Sequence, residues 1–151
     1  GILISKISIE DQLFVLETRR ELERLVSLRA AKRATDEERT ELTALAMSIE
    51  SAGNSGDVLA YMKYHFKTKP FVAQCARNPY AARALFPLHT LSQRFYFAYH
   101  SELGNLPLVG RAHANLTRAI VSGDESSVVA FSTEVADIAE NFTRELFHRN
   151  R

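Results

Sequence analysis

Ala30-Ala31-Lys32-Arg33-Ala34-Thr35-Asp36-Glu37-Glu38 reads as the end of one helix, a cap and the start of the next. Thr35 followed three residues later by Glu38 is a capping box. The threonine hydroxyl accepts from the Glu38 amide, and the Glu38 side chain accepts from the Thr35 amide. Upstream, Leu13, Leu16, Leu22, Leu25 and Leu28 run down one helical side to about Arg33. Downstream, Leu42, Leu45 and Ile49 give the apolar stripe of a helix over Asp36–Ser51. Working outward, Ser8 with Asp11 resembles a second capping box with a shorter acid. Gly53-Asn54-Ser55-Gly56 predicts a turn. A third helix is expected from Asp57 to about Ala76, and Asn78-Pro79 closes it and starts a fourth. The fourth reaches about Leu103, with a bend expected at Pro87, which cannot donate to the preceding turn. Gly104-Asn105 ends it, and Pro107 suits the first turn of a fifth helix. Ser122-Gly123-Asp124 separates the fifth from a sixth that runs to about His148. β-branched alternation is confined to Ile2–Ile9, too short to build a sheet. The fold class is therefore all-α, an antiparallel bundle of about six helices with short loops.

A chain of 151 residues is long enough for one compact domain with a real core. Its 46% hydrophobic and 25% charged residues exclude the disordered and fibrous classes. Lys and Arg total 19 against 18 for Asp and Glu, so the basic excess that a phosphate-gripping surface needs is absent. The single cysteine, Cys75, permits no internal disulfide and no cysteine zinc motif, and reads as a small buried apolar residue. No charged start precedes an apolar run, and no stretch approaches the roughly 20 apolar residues of a membrane span. A cytoplasmic protein with no membrane partner is expected. Nucleophile elbow, phosphate loop and paired carboxylates are all missing, and Glu50 and Asp57 read as helix-end acids. The chain is not expected to be an enzyme.

The order of several short strings resembles the FCD domain, the FadR-type C-terminal ligand-binding domain of GntR-family transcriptional regulators. Glu17-Thr-Arg19-Arg20-Glu-Leu22-Glu23 is similar to that family's opening helix, and the Ala30–Glu38 corner to its next motif. Gly56-Asp57, Arg77-Asn78-Pro79, His113 and Ala119-Ile120-Val-Ser-Gly123-Asp124 follow in register without gaps. Gly1-Ile2-Leu3-Ile4-Ser5 resembles the last strand of the winged-helix wing that precedes this domain in whole regulators. On this resemblance residues 1–8 are a linker or wing remnant, and 9–151 are an effector-binding and dimerisation domain. DNA would be reached only through a separate N-terminal winged helix-turn-helix, and the chain would act as a homodimer.

Many FCD domains hold a divalent metal with Asp-x-x-x-His on one helix and single histidines on two later helices. Threaded without gaps, those four slots are His65, Lys69, His113 and Val135 here. Two imidazoles survive, but a lysine replaces the first histidine. Unit charges about 4 Å apart at an effective dielectric near 20 interact by roughly 4 kcal/mol, and a divalent ion about doubles the repulsion. The family metal site is therefore expected to be lost, with no cofactor in its place. The alternative readings are a metal-binding sensor with non-standard ligands and a ligand-free helical scaffold.

Lys69, His65 and His113 would instead suit an anionic effector such as a small organic acid, a lysine supplying the charge a metal gives elsewhere. Val135, with Phe131 and Ile138, would form an apolar wall. Arg19 and Arg94 lie in helices that border the family's pocket and complete the candidate set. His89, His100 and His148 receive no role. Pro70, directly after Lys69, is expected to kink or break the third helix at the pocket. The aromatics Tyr61, Tyr64, Phe66, Phe86, Phe95, Tyr96, Phe97 and Tyr99 read chiefly as core, with the run from Phe95 to Tyr99 covering more than one face and so part of it available to an interface.

Overall fold

The structure, a computed structural model, describes residues 8–149. The Gly1–Ser5 wing resemblance and most of the Ile2–Ile9 alternation lie outside them. Six α-helices fill the described chain: α1 (Ile9–Arg33), α2 (Asp36–Ser55), α3 (Val58–Cys75), α4 (Pro79–Ala98), α5 (Leu106–Ser122) and α6 (Glu125–Arg149), with a 3-10 turn at His100–Glu102. No strand occurs among these residues, and none of the described helices is long and apolar enough to cross a membrane. α2 lies against α5 and α3, while α1 is central, touching α3, α4, α5 and α6.

Each expected cap forms. Ser8 Oγ accepts from the Asp11 amide, Thr35 and Glu38 close the capping box, and Asn78 accepts from the Tyr80 and Ala81 amides. The Ala30–Glu38 corner does more than start a helix, because arginines near it satisfy carbonyls that helix ends leave orphaned. Arg39 donates to the carbonyls of Ala31, Ile120 and Val121, tying the C-terminus of α1 to that of α5. Arg33 donates to the Ala76 carbonyl, and Arg77 to the carbonyls of Arg33 and Cys75, joining α1 to the end of α3. Arg77 has a positive φ of 54° and also pairs with Glu38 at 2.9 Å. Cys75 beneath them is fully buried, as expected.

Some expectations fail, and two of them for clear physical reasons. The turn at Gly53–Gly56 shrinks to Gly56, whose φ of 73° caps α2, while Gly53 stays helical. Gly53 is small because α5 crosses there: a Cβ on it would meet the Leu106 carbonyl oxygen at 2.8 Å and the Gly110 Cα at 3.1 Å. Pro70 does not break α3, which runs on to Cys75. The proline costs one intrahelical bond, and buried Val72, Ala73 and Cys75 anchor the turn beyond it. α4 likewise runs through Pro87, but it stops at Ala98, short of Leu103.

Gly53→Ala or Gly110→Ala should lower unfolding free energy by about 1–3 kcal/mol through overpacking. Gly104→Ala, with nothing within 4 Å of its added Cβ, should stay within about 0.5 kcal/mol of wild type. Urea unfolding midpoints of the three variants check this.

Candidate functional site

A cavity of about 1220 Å³ lies among α1, α3, α5 and α6, with Tyr96 of α4 and the α4–α5 connection completing its wall. Its deep pole carries Arg19, Tyr61, His65 and His113, all more than nine-tenths buried. Val135, also buried, and Ile138 line the α6 side.

Arg19 sits on α1 one turn before Glu23, the i,i+4 spacing that brings two side chains together. Its Nε and Nη2 donate to Glu23 Oε1 at 3.1 and 2.8 Å. Lys69 Nζ lies 3.7 Å from Glu23 Oε2, and His89 Nε2 lies 2.9 Å from Oε1. One carboxylate therefore serves three basic side chains. Burial would raise the Glu23 pKa, but Arg19, Lys69 and His89 outweigh it and hold the carboxyl well below its usual range. Burial pulls Lys69 and His89 downward, with Glu23 opposing in both cases. For Arg19 burial is overcome by Glu23, so the guanidinium is more firmly charged than usual.

Two donors at this pole remain unmatched. Arg19 Nη1 and His65 Nε2 are buried without a hydrogen-bond partner. The Tyr96 phenol stands close enough to the guanidinium for both a charge interaction and a loose side-chain hydrogen bond, but no bond of good geometry reaches Nη1. The Tyr61 hydroxyl lies 3.3 Å from His65 Nδ1. Burial pushes the Tyr61 pKa up, so the phenol retains its proton. We assign it as donor to Nδ1, which places the ring hydrogen of neutral His65 on Nε2. His113 meets His65 edge-on with ring centroids 4.3 Å apart. Burial, the largest cause, drives both imidazoles well below the usual histidine pKa, helped by His113 and Lys69 at His65 and by Lys69 at His113.

The candidate residues thus divide. Arg19, His65, His113 and Val135 share the large cavity. Lys69 does not line it: it faces a second space of only about 20 Å³ behind, with Glu23, His89, His65, His113 and Thr117. Room of that size suits about one water molecule. Arg94 is exposed on α4 and lines neither space. Glu23 and His89, given no role from sequence, prove central. The signal for Glu23 was present in the Arg19–Glu23 spacing; His89 carried none, since its partner is 66 residues away.

The donors do not fit a resident divalent metal. Two neutral imidazoles stand beside an ammonium group, Val135 offers no ligand, and Glu23 is committed to three bases. Among the described residues no group of three or more His, Cys, Asp or Glu is placed to hold a metal ion.

A family model described as the FCD domain matches residues 14–137. The chain belongs to the FCD family. Among solved structures, this FCD domain is similar to E. coli McbR/YncC with a TM-score of 0.76. Sequence identity is 15%, over 87% of this chain and 67% of that one, so the likeness speaks to the fold. The FCD motif residues thereby acquire distinct physical meanings: the Ala30–Glu38 corner and Arg77 are helix-end clasps, whereas the opening string Glu17–Glu23 contributes the charged pole of the cavity.

The pole should make FCD-domain stability pH-dependent. The unfolded histidines take up protons near pH 6.5, whereas folded His65 and His113 resist them. Their contribution is therefore complete above about pH 6.5 and is lost as pH falls below it, at about 1.4 kcal/mol per pH unit for each ring. Urea unfolding between pH 7 and 5 should show a His113→Asn variant with a slope shallower by about that amount; an unchanged slope would contradict burial of a neutral ring.

Proposed function

We propose that this FCD domain is an effector sensor that binds a small organic acid or similar anion at the Arg19 pole. The observation that carries the proposal is a buried guanidinium with one unpartnered nitrogen, on a residue that lines a large cavity. An unmet charged donor in a low-dielectric interior is costly, and a carboxylate supplies both acceptor and countercharge. His65 and His113 would add contacts, and Val135 would wall the body of the ligand. Lys69 acts from behind, through Glu23, and Arg94 is not needed. Two cations to one carboxylate leave one positive charge for the ligand to meet. Cavity size favours this reading over a ligand-free scaffold, and nothing at the pole calls for a catalytic role.

The regulatory step would be a population shift. A ligand that prefers one arrangement of α1 against α3 and α6 changes how a separate winged helix-turn-helix is held, and hence operator affinity. In our reading the domain works as a homodimer on paired half-sites. Phe86 and Phe97, exposed on one stripe of α4 at 69% and 62%, are available to such a contact. Light scattering should give the mass of two chains.

Calorimetry against a panel of carboxylates tests the sensor. Arg19→Gln should weaken the best binder at least tenfold, the loss expected of a charge-assisted bond worth roughly 1.5–3 kcal/mol, and Lys69→Ala by less. Equal affinity in wild type and Arg19→Gln would end the proposal.

A further inference from the structure

The cavity is far larger than a small acid at its pole would fill, and its remaining surface has a definite chemistry. Pockets for drug-sized ligands run to roughly 300–1,000 Å³, and this one reaches about 1220 Å³. Leu13 and Phe14 of α1, Leu108 of α5, and Ile138, Phe142 and Phe147 of α6 line it away from the pole. Phe14 is 61% exposed and Leu108 42% exposed, so the apolar lining includes side chains that water still reaches.

The charges are separated along the same cavity. At depth stands Arg19 with its free Nη1. Exposed Glu10, Glu17 and Glu145 line the outer part, beside Glu21, which pairs with Arg24 at 2.6 Å. The two other arginines there are already engaged, Arg20 by Asp137 and Glu140 at 2.8 and 2.9 Å, and Arg144 by Glu140 at 2.7 Å. One buried cation is thus available inside an acidic rim.

We infer that the cavity selects a monoanion with an extended apolar body, its carboxylate on Arg19 and His65 and its body between α1 and α6, and rejects polyanions. This deepens the sensing reading and rests on it. A single negative charge reaches a matching cation. Each further charge stays near the glutamates with no partner, in a cleft whose low-dielectric walls concentrate their field. A compact polar acid such as citrate leaves the apolar walls wet. A coenzyme A thioester places its phosphates against the rim.

Calorimetry with butanoate, octanoate, octan-1-ol, citrate and octanoyl-coenzyme A tests the inference, first in the wild-type protein. Burying each added methylene is worth about fourfold in affinity, so octanoate should bind roughly two-hundredfold tighter than butanoate. Octan-1-ol and octanoyl-coenzyme A should each bind at least tenfold more weakly than octanoate, and citrate no better than butanoate. The exposed pair Glu17→Gln and Glu145→Gln should narrow the gap between octanoyl-coenzyme A and octanoate by several-fold. Citrate or the thioester binding more tightly than octanoate, with Arg19→Gln abolishing it, overturns this selectivity while leaving anion sensing intact. Octan-1-ol equal to octanoate overturns the charge recognition. Failure of every carboxylate overturns both readings.

Discussion

Glu23 is the group on which the interior of this bundle depends. A carboxylate whose side chain is only 14% exposed is costly unless its charge and lone pairs are met, and here Arg19, Lys69 and His89 meet them from α1, α3 and α4. The glutamate therefore does two things at once. It neutralises one of two buried cations, and it fastens three helices at a point next to the cavity. Because Arg19 donates Nε and Nη2 to Glu23, its third nitrogen is left without a partner, on a residue that lines the cavity. A ligand on Nη1 would compete electrically for the guanidinium that Glu23 holds, which gives α1, α3 and α4 a physical reason to feel its presence. The coupling is local, charge to charge, and needs no long path.

The same cluster explains how a lysine can stand inside this helical bundle. In place of an external cation bound by protein anions, the protein supplies its own cation and its own counter-ion. Lys69 is turned toward Glu23 and a space fit for about one water. His65 and His113 stand beside it as neutral rings, one of them with a hydrogen to offer.

Much of the architecture was legible because helix ends announce themselves chemically. Thr35 with Glu38, Asn78-Pro79 and Gly123 each satisfy groups that a terminus leaves open, and the structure uses all three. Gly53 misled because glycine marks a turn and a close helix crossing with the same letter, and only the position of α5 separates them. Pro70 misled because a local cost was weighed without the packing of Val72 and Cys75 that offsets it. The site was legible in part. His65 and His113 came from family register. Arg19 and Glu23 sat in a quoted motif, yet an i,i+4 Arg–Glu pair normally lies in water, and its burial appears only once α3, α4 and α6 close over it. Arg94 went astray because a helix bordering a pocket has an outer face as well.

The central claim is that Arg19 is a permanently charged group with one nitrogen unmet inside the protein. Nitrogen-15 spectroscopy of arginine-labelled protein observes that group directly. Its guanidinium resonances should be resolved and slow to exchange with water in the free protein, and should move on addition of octanoate while those of exposed Arg94 stay fixed. A guanidinium that exchanges like a surface arginine, or that does not respond to the carboxylate, would contradict the account.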